Sequence, residues 1–158
     1  MSFYLRAATT LLPRPRPADL PGERLERTVR VDRAHLAQYD RVCGFPLTDL
    51  LPATYPHVLA FPLAMRLMSA ADFPFPVVGL IHVANRITVH RPVPADAALD
   101  LLVRAADLRP HPRGRQFDVV VTATVDGSEV WTGVSTYLKK ESSGTEQRDR
   151  SPAPDPTA

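Results

Sequence analysis

The chain has 158 residues, enough for one domain of ordinary size but not for two domains with separate cores. Hydrophobic residues make up 44% and charged residues 23%, a balance typical of a soluble globular protein. The formal charge of +2 gives a weak field, which argues against nucleic acid as the main partner.

Other features of the sequence restrict the compartment and the possible cofactors. The single cysteine, Cys43, excludes an internal disulfide and a thiolate zinc cluster. No apolar run approaches the ~20 residues of a membrane span. The first residues lack the long apolar region and the cleavage site of a secretory signal. We therefore expect a cytoplasmic protein that does not bind a membrane.

The N-terminal quarter is predicted to contain an arm, a strand and a helix. Residues 1–24 are irregular and rich in arginine and proline, which predicts an arm outside the domain. Residues 26–31 alternate as a strand does. Asp32 is a typical N-cap for a helix over residues 33–43, and Gly44 is a typical residue to end it.

A second, more apolar helix is predicted in the middle of the chain, after a proline-punctuated loop at residues 45–56. Residues 57–70, HVLAFPLAMRLMSA, are apolar on nearly every side, which predicts a helix that is buried all round. Pro62 would leave the Val58 carbonyl unpaired and kink this helix, unless the helix proper begins near Pro62.

Four strands are predicted after another loop at residues 72–77. Asp126-Gly127 is a strong signal for a two-residue hairpin turn between the last two strands. From Lys139 onward the composition cannot bury a core and predicts a disordered tail. The strand-like runs are residues 79–90, 98–108, 115–126 and 129–138.

The order of elements predicts an α+β arrangement of two layers, with one long apolar helix facing a highly curved antiparallel sheet. A sheet of four or five strands cannot wrap such a helix completely, so one edge is left unpaired. Pairing with a second copy or with a related subunit is the natural way to cover that edge.

Two stretches of sequence resemble the MaoC-like acyl dehydratase family. They are residues 39–68, YDRVCGFPLTDLLPATYPHVLAFPLAMRLM, and residues 73–93, FPFPVVGLIHVANRITVHRPV. More narrowly, residues 25–138 resemble the N-terminal half of the actinobacterial double-hotdog dehydratases. The resemblance implies the hotdog fold, a curved antiparallel sheet wrapped on a long central helix. It also implies hydration or dehydration of a 3-hydroxyacyl or enoyl thioester carried on coenzyme A or acyl carrier protein, without a metal or redox cofactor.

The catalytic motif of the family, S-G-D-x-N-P-[IL]-H, is not present in its usual form. Its Asp and His perform general acid–base chemistry, but here Cys43-Gly44-Phe45 stands where S-G-D would begin. His57 matches either the catalytic histidine of a remodelled loop or, as we prefer, the noncatalytic histidine that opens the central helix. On the preferred match this chain lacks the dyad. We then expect either the noncatalytic acyl-pocket subunit of an (R)-3-hydroxyacyl-thioester dehydratase, in a heterodimer whose partner supplies Asp and His, or a truncated N-terminal half of such an enzyme. We prefer the heterodimer subunit.

His57 and Asp49 are the candidate catalytic residues of this chain itself. An imidazole titrates near neutral pH and can carry a proton, although a hydrogen-bonded histidine at a helix N-terminus is the more common arrangement. Asp49 is the only carboxylate between Asp40 and Asp72, so it is the only local replacement for the missing Asp. A loop aspartate that forms an Asx-turn is the commoner case.

The candidate substrate-binding residues lie at the end of the loop before the central helix, on that helix and on the first strand after it. Regular alternation in GLIHVANRITVH would place His82 and Asn85 on opposite faces, with Asn85 on the apolar face. Asn85 there would bind a pantetheine arm or a partner's backbone, or would be a hydrogen-bonded core residue. The central-helix residues would line an acyl tunnel or simply pack in the core. The full candidate set is Tyr55, Phe61, Met65, Met68, His82 and Asn85.

Two alternatives belong to other functional classes. One is a self-sufficient homodimeric dehydratase or thioesterase that uses His57 with Asp49; the other is a nonenzymatic acyl-thioester-binding or scaffold protein. A hydrogen bond between these two side chains inside a tunnel would favour the enzyme. An apolar tunnel without such a pair would favour a partner subunit or a binding protein. Fatty acid, polyketide and degradative pathways are all compatible with the resemblance.

Overall fold

The computed structural model describes residues 15–141, which form five strands and two helices. The predicted arm (1–24) and tail (139–158) fall largely on residues 1–14 and 142–158, outside the described residues. The elements are β1 (Arg24–Arg30), α1 (Arg33–Cys43), α2 (Tyr55–Ser69), β2 (Leu80–Val89), β3 (Ala98–His111), β4 (Gly114–Val125) and β5 (Ser128–Lys140). Strand β5 thus includes Lys139 and Lys140, so pairing continues past the predicted start of the tail.

The strands form one antiparallel sheet in the order β1-β3-β4-β5-β2, so β1 and β2 are its edges. The turn between β4 and β5 is Asp126-Gly127, with φ values of 49° and 75°. Positive φ values at both central residues are typical of the two-residue hairpin turn that Asp-Gly favours. The predicted turn between the last two strands is therefore confirmed. Strand β3 extends to His111, further than predicted, because Pro110 still pairs with Arg115 of β4.

Helix α1 begins and ends at the predicted residues. The Asp32 carboxylate accepts hydrogen bonds from the backbone N–H groups of Ala34 and His35, at 2.9 and 3.2 Å. Gly44 has φ 73°, the left-handed conformation that ends many helices. Its backbone N–H donates to the Asp40 carbonyl.

Helix α2 is the central helix, and it begins at Tyr55 rather than near Pro62. Pro56 in the first turn needs no hydrogen-bond partner, while Pro62 lies inside the helix on its exposed side. The prediction of burial on all sides is wrong, because the Phe61 side of the helix is open and that residue remains 48% exposed. The buried side of α2 comprises Tyr55, Pro56, Ala60, Leu63, Ala64, Leu67 and Met68.

The core lies between this buried side and the inner face of the sheet. It contains Phe73 and Phe117, whose rings meet edge to face at 5.2 Å, and the fully buried Trp131. The Trp131 indole donates a hydrogen bond to the Ala53 carbonyl at 2.7 Å, which ties the loop before α2 to the sheet. The result is the predicted α+β arrangement of a sheet on a central helix. Among residues 15–141, neither helix is long and apolar enough to cross a bilayer.

Candidate functional site

A β-bulge in β2 determines which side chains of this edge strand face the central helix. His82 opposes Tyr137 of β5 and Asn85 opposes Ser135, which leaves Val83 as the extra residue. Directly opposed residues share a face of the sheet, and Tyr137 and Ser135 lie on the same face because they are two apart. His82 and Asn85 therefore share the inner face, and the prediction that they lie on opposite faces is wrong.

Five rings stack in a row that crosses from the start of α2 over the inner face of the sheet. The His57 and His82 centroids are 6.4 Å apart, and His82 lies 4.9 Å from Tyr137. Phe117 follows at 5.6 Å and Phe75 at a further 5.6 Å, and the angles between neighbouring planes are 13–20°. Offset stacking of this kind stabilises each contact beyond simple burial. We call these five residues the ring row.

The surroundings of the ring row favour the neutral forms of His57 and Tyr137. Burial, and then the charge of neighbouring His82, lower the pKa of His57 below its usual value. Burial also raises the pKa of Tyr137, which keeps its phenol protonated. A neutral imidazole both donates and accepts a hydrogen bond, so His57 can bind either kind of polar group.

The space between α2 and the sheet beside the ring row is very small. Its volume is about 10 Å³, room for one water molecule at most. The lining residues come from one side of α2 and from the facing strands β4 and β5: His57, Ala60, Phe61, Ala64, Val119, Val121, Ser135 and Tyr137. In this structure the cleft is therefore too small for an acyl chain, and the accessible surface is the open side next to Phe61.

The candidate substrate-binding residues occupy three different environments. Phe61, His82 and Asn85 lie on the open surface, where Asn85 accepts a long hydrogen bond of 3.5 Å from Ser135. Met65 is partly buried against the core. Met68 is fully buried within it.

Tyr55 is also fully buried, on the side of α2 away from the ring row. Its hydroxyl lies 2.8 Å from Nδ1 of His35, and the residue packs in a small cluster with Leu36 and Ala95. Burial, followed by the charge of Asp32 and of a second nearby carboxylate, raises the pKa of Tyr55. This arrangement gives Tyr55 a structural position between the two helices.

The two candidate catalytic side chains are not brought together. The Asp49 carboxylate is 94% exposed and pairs with the Arg33 guanidinium at 2.6 Å. His57 instead stacks on His82, and no hydrogen bond joins Asp49 to His57 within residues 15–141. The same part of the chain contains no group of three His, Cys, Asp or Glu side chains that could hold a metal ion.

Sequence reasoning missed Tyr137 and Ser135, which complete the site from β5. In the segment VSTYL, alternation places both residues on the same face of the strand, so the sequence alone could have predicted that they lie together. Which residues of β2 they oppose depends on the bulge at Val83, which the regular pattern of β2 does not reveal.

Comparison with known proteins identifies a homologue. The chain is 38% identical over 139 residues to 3-hydroxyacyl-thioester dehydratase X of Mycobacterium tuberculosis. The match covers 87% of this chain and 50% of the relative, so the chain spans about half the length of that protein. A crystal structure of this relative, HtdX, superposes with a TM-score of 0.67 over 73% of this chain and 51% of its own. No family sequence model matches.

Two structures of complexes share the fold at low sequence identity. The M. tuberculosis HadBC (3R-hydroxyacyl-ACP dehydratase) complex is 17% identical, with a TM-score of 0.64 over 76% of this chain and 97% of that chain. The M. tuberculosis ChsH1-ChsH2 complex is 12% identical, with a TM-score of 0.52 over 77% of this chain and 90% of that chain. These likenesses confirm the hotdog fold. With the 38% identity to HtdX, they show that the chain is homologous to half of a 3-hydroxyacyl-thioester dehydratase and shares the hotdog fold of the MaoC-like dehydratases.

Proposed function

We propose that this chain is the noncatalytic subunit of an (R)-3-hydroxyacyl-thioester dehydratase, paired with a second hotdog subunit that carries the Asp–His dyad. The observation that carries the proposal is the separation of Asp49 from His57, since one pairs with Arg33 and the other stacks on His82. A dehydratase needs an acid–base pair within hydrogen-bond reach of one substrate. Asp49 and His57, the two candidate catalytic residues, do not form such a pair.

The open edge of the sheet supports pairing with another hotdog subunit. Every residue of β2 except Leu80 and Ile87 is exposed, and no strand of residues 15–141 pairs with its outer edge. The exposed side chains include Ile81 and Val83, and Phe61 lies exposed on the central helix. An unpaired edge with apolar side chains tends to add a second strand. The edge strand of a related subunit is our proposed occupant.

In such a pair, this chain would supply one wall of the acyl site. The Asp and His of the partner would move protons at the α-carbon and at the 3-hydroxyl. On this chain, the Asn85 carboxamide and the neutral His57 imidazole would hydrogen-bond amide or carbonyl groups of the pantetheine thioester. Phe61 would pack against the acyl group. The thioester would be carried on coenzyme A or on acyl carrier protein.

The test measures hydration of a crotonyl thioester. The second protein is a hotdog subunit that is encoded beside this chain and carries S-G-D-x-N-P-x-H. Each protein would be assayed alone, and then the two would be assayed together. We expect activity from the mixture, a stable complex in gel filtration and no activity from this chain alone. Full activity from this chain alone, lost in His57→Ala, would instead support the self-sufficient enzyme. A monodisperse monomer with no affinity for the second subunit would contradict the heterodimer.

The second candidate is the self-sufficient homodimeric dehydratase or thioesterase. The observation that favours it is the lowered pKa of His57, because a neutral imidazole at neutral pH can accept a proton. It would need a carboxylate from elsewhere, since Asp49 is paired with Arg33. A third outcome, thioester binding without turnover by any mixture, would indicate a binding or scaffold protein.

A further inference from the structure

Two positive charges oppose each other at one end of the sheet. Arg115 of β4 pairs directly with Lys139 of β5, and directly opposed side chains share a face. The Arg115 guanidinium is bonded to the Glu141 carboxylate at 2.7 Å, whereas no ion pair within residues 15–141 involves Lys139. Like charges in directly opposed positions destabilise a sheet. Lys139 therefore carries a charge that an added anion would compensate.

Lys139 and Arg115 lie on the inner face of the sheet, at the far end of the ring row. Each is two residues from a member of that row, since Arg115 precedes Phe117 and Lys139 follows Tyr137. The Arg115 guanidinium carbon also lies 4.7 Å from the centroid of the Phe75 ring, the last ring of the row. The ring row thus runs from the start of the central helix to this pair of cations.

Polar side chains follow the inner face of β2 and β5 from the proposed acyl wall to Lys139. Asn85 opposes Ser135, His82 opposes Tyr137, and Lys139 is the next inner residue of β5. At a rise of about 3.3 Å per residue, Ser135 and Lys139 are about 13 Å apart along the strand. Asn85 and His82 are exposed, so a carboxamide, an imidazole and an ammonium follow one another in that order at this edge of the sheet.

The Lys139 ammonium lies beside the exposed start of β2. Its Nζ atom is 3.5 Å from the position that a Cβ atom would occupy at Gly79. The neighbouring Val78 is 87% exposed and Lys139 itself is half-buried, so solvent reaches this end of the sheet. Lys140 points the other way, since it opposes Gly114 on the outer face. Of the two lysines, Lys139 is therefore the one that shares a face with the polar side chains of β2.

We propose that Lys139 binds the phosphate of a phosphopantetheine arm whose thioester end lies at Asn85 and His57. This inference rests on the proposed function, which supplies an acyl thioester as the substrate. The arm is linear and carries two amides between its sulfur and its phosphate, so it matches a row of polar side chains that ends in a cation. The ammonium binds phosphate as a point charge, and Arg115 adds a second positive charge beside it. Coenzyme A and acyl carrier protein both contain this phosphate, so Lys139 would be a specificity residue for either carrier.

The test compares crotonyl-pantetheine with crotonyl-4′-phosphopantetheine, which differ by one phosphate. Their hydration would be measured with the full 158-residue chain assembled with its dyad-bearing partner. The assay uses about 0.15 M salt, at which interactions between distant exposed charges are screened. We expect the phosphate to lower KM at least about tenfold, or ~1.4 kcal/mol, with kcat nearly unchanged.

One variant and a matched control make the test specific to Lys139. Lys139→Gln should raise KM for the phosphorylated substrate about tenfold and leave KM for crotonyl-pantetheine unchanged. Lys140→Gln removes the same charge from the other face of the sheet and should retain the preference for the phosphate. Equal KM values for the two substrates in the wild-type pair would overturn the proposal. A preference that survives Lys139→Gln, or that is lost equally in Lys140→Gln, would overturn it as well.

Crotonyl-coenzyme A and crotonyl-acyl carrier protein distinguish the two sources of the phosphate. A higher KM in Lys139→Gln for one of them would identify the carrier that uses this site, and a higher KM for both would show that the phosphate is recognised in either carrier. Unchanged KM values for both would contradict the proposal.

Failure of the proposed function would give a different result, in which the pair hydrates none of these thioesters. Binding of 4′-phosphopantetheine and of pantetheine to the ¹⁵N-labelled chain then decides. A saturable shift of the His82 and Lys139 amide signals that requires the phosphate, and is lost in Lys139→Gln, would support the site without the dehydratase. Equal shifts with the two probes, or no shift with either, would contradict the site.

Discussion

The imidazole rings of His57 and His82 stack with their centroids 6.4 Å apart and their planes only 13° apart. The contact joins the start of the central helix to the edge strand β2, which otherwise has exposed side chains along most of its length. Burial, and then the charge of His82, lower the pKa of His57. One titratable contact therefore connects the helix that supports the proposed acyl wall to the strand that we expect to pair with a partner.

Acidification should destabilise the fold through His57. Its pKa in the folded protein lies below the unfolded value of 6.5, so the unfolded chain takes up the proton first as the pH falls. This contribution to stability is complete above pH 6.5 and decreases as the pH falls through the unfolded and then the folded pKa. Urea unfolding between neutral and mildly acidic pH should show the decrease, and His57→Gln should flatten it. An equal slope in His57→Gln and wild type would exclude His57 as the source.

Removing the central ring of the ring row should destabilise the fold strongly. Tyr137 is buried between His82 and Phe117, and Tyr137→Ala would leave a cavity and break two stacked contacts. We expect a loss of about 3 kcal/mol in the free energy of unfolding, as for other buried aromatic truncations. Tyr137→Phe retains both contacts and should cost less than ~1 kcal/mol. Equilibrium urea unfolding measures both, and similar losses in the two variants would contradict a packing role for the ring.

Asp40→Asn should stabilise the isolated chain. The substitution retains the shape of the side chain and replaces a buried carboxylate whose Oδ1 atom has no hydrogen-bond partner among residues 15–141. We expect a gain in the free energy of unfolding, because a neutral amide costs less to bury than an ionised carboxylate does. The matched comparison is Asp118→Asn, which should lower stability because Asp118 accepts hydrogen bonds from Thr136 and Arg109. Destabilisation by Asp40→Asn in the same urea assay would show that the carboxylate has a stabilising partner.

A lysine on the edge strand should prevent assembly without unfolding the chain. Ile81 lies on β2 and is exposed, so Ile81→Lys should place a charge in the proposed interface with little effect on the core. We expect the complex with the second hotdog subunit to weaken by at least about tenfold, or ~1.4 kcal/mol, in sedimentation velocity. Val78→Lys is the control, because Val78 is 87% exposed and lies before β2. Equal weakening by both substitutions would indicate a nonspecific effect of charge.

Local signals in the sequence were sufficient for the elements that short-range chemistry determines. Helix α1 begins after Asp32 and ends before Gly44, as predicted, and Asp126-Gly127 forms the expected turn. These predictions succeed because caps and turns depend on a few neighbouring atoms. The family resemblance gave the fold and is supported by homology to HtdX.

The site was less predictable because it depends on pairing between distant strands. The bulge at Val83 turns His82 to the same face as Asn85, and alternation within β2 gives no sign of it. The apolar composition of α2 predicted burial on all sides, yet Phe61 is open to solvent. A partner surface is also apolar, so composition alone does not separate a core side of a helix from an interface side.

The most direct test of the central claim is complementation between two single variants in the assembled pair. Crotonyl-thioester hydration would be measured for this chain with its dyad-bearing partner, after His57→Ala in this chain and, separately, after Asp→Asn in the partner's S-G-D motif. Because we place acid–base catalysis on the partner, the partner variant should lose at least about a thousandfold in kcat, ~4 kcal/mol. His57→Ala should change kcat less than about tenfold and act mainly on KM. The opposite pattern, in which His57→Ala abolishes kcat and the partner variant stays active, would place the catalytic centre on this chain and contradict the account.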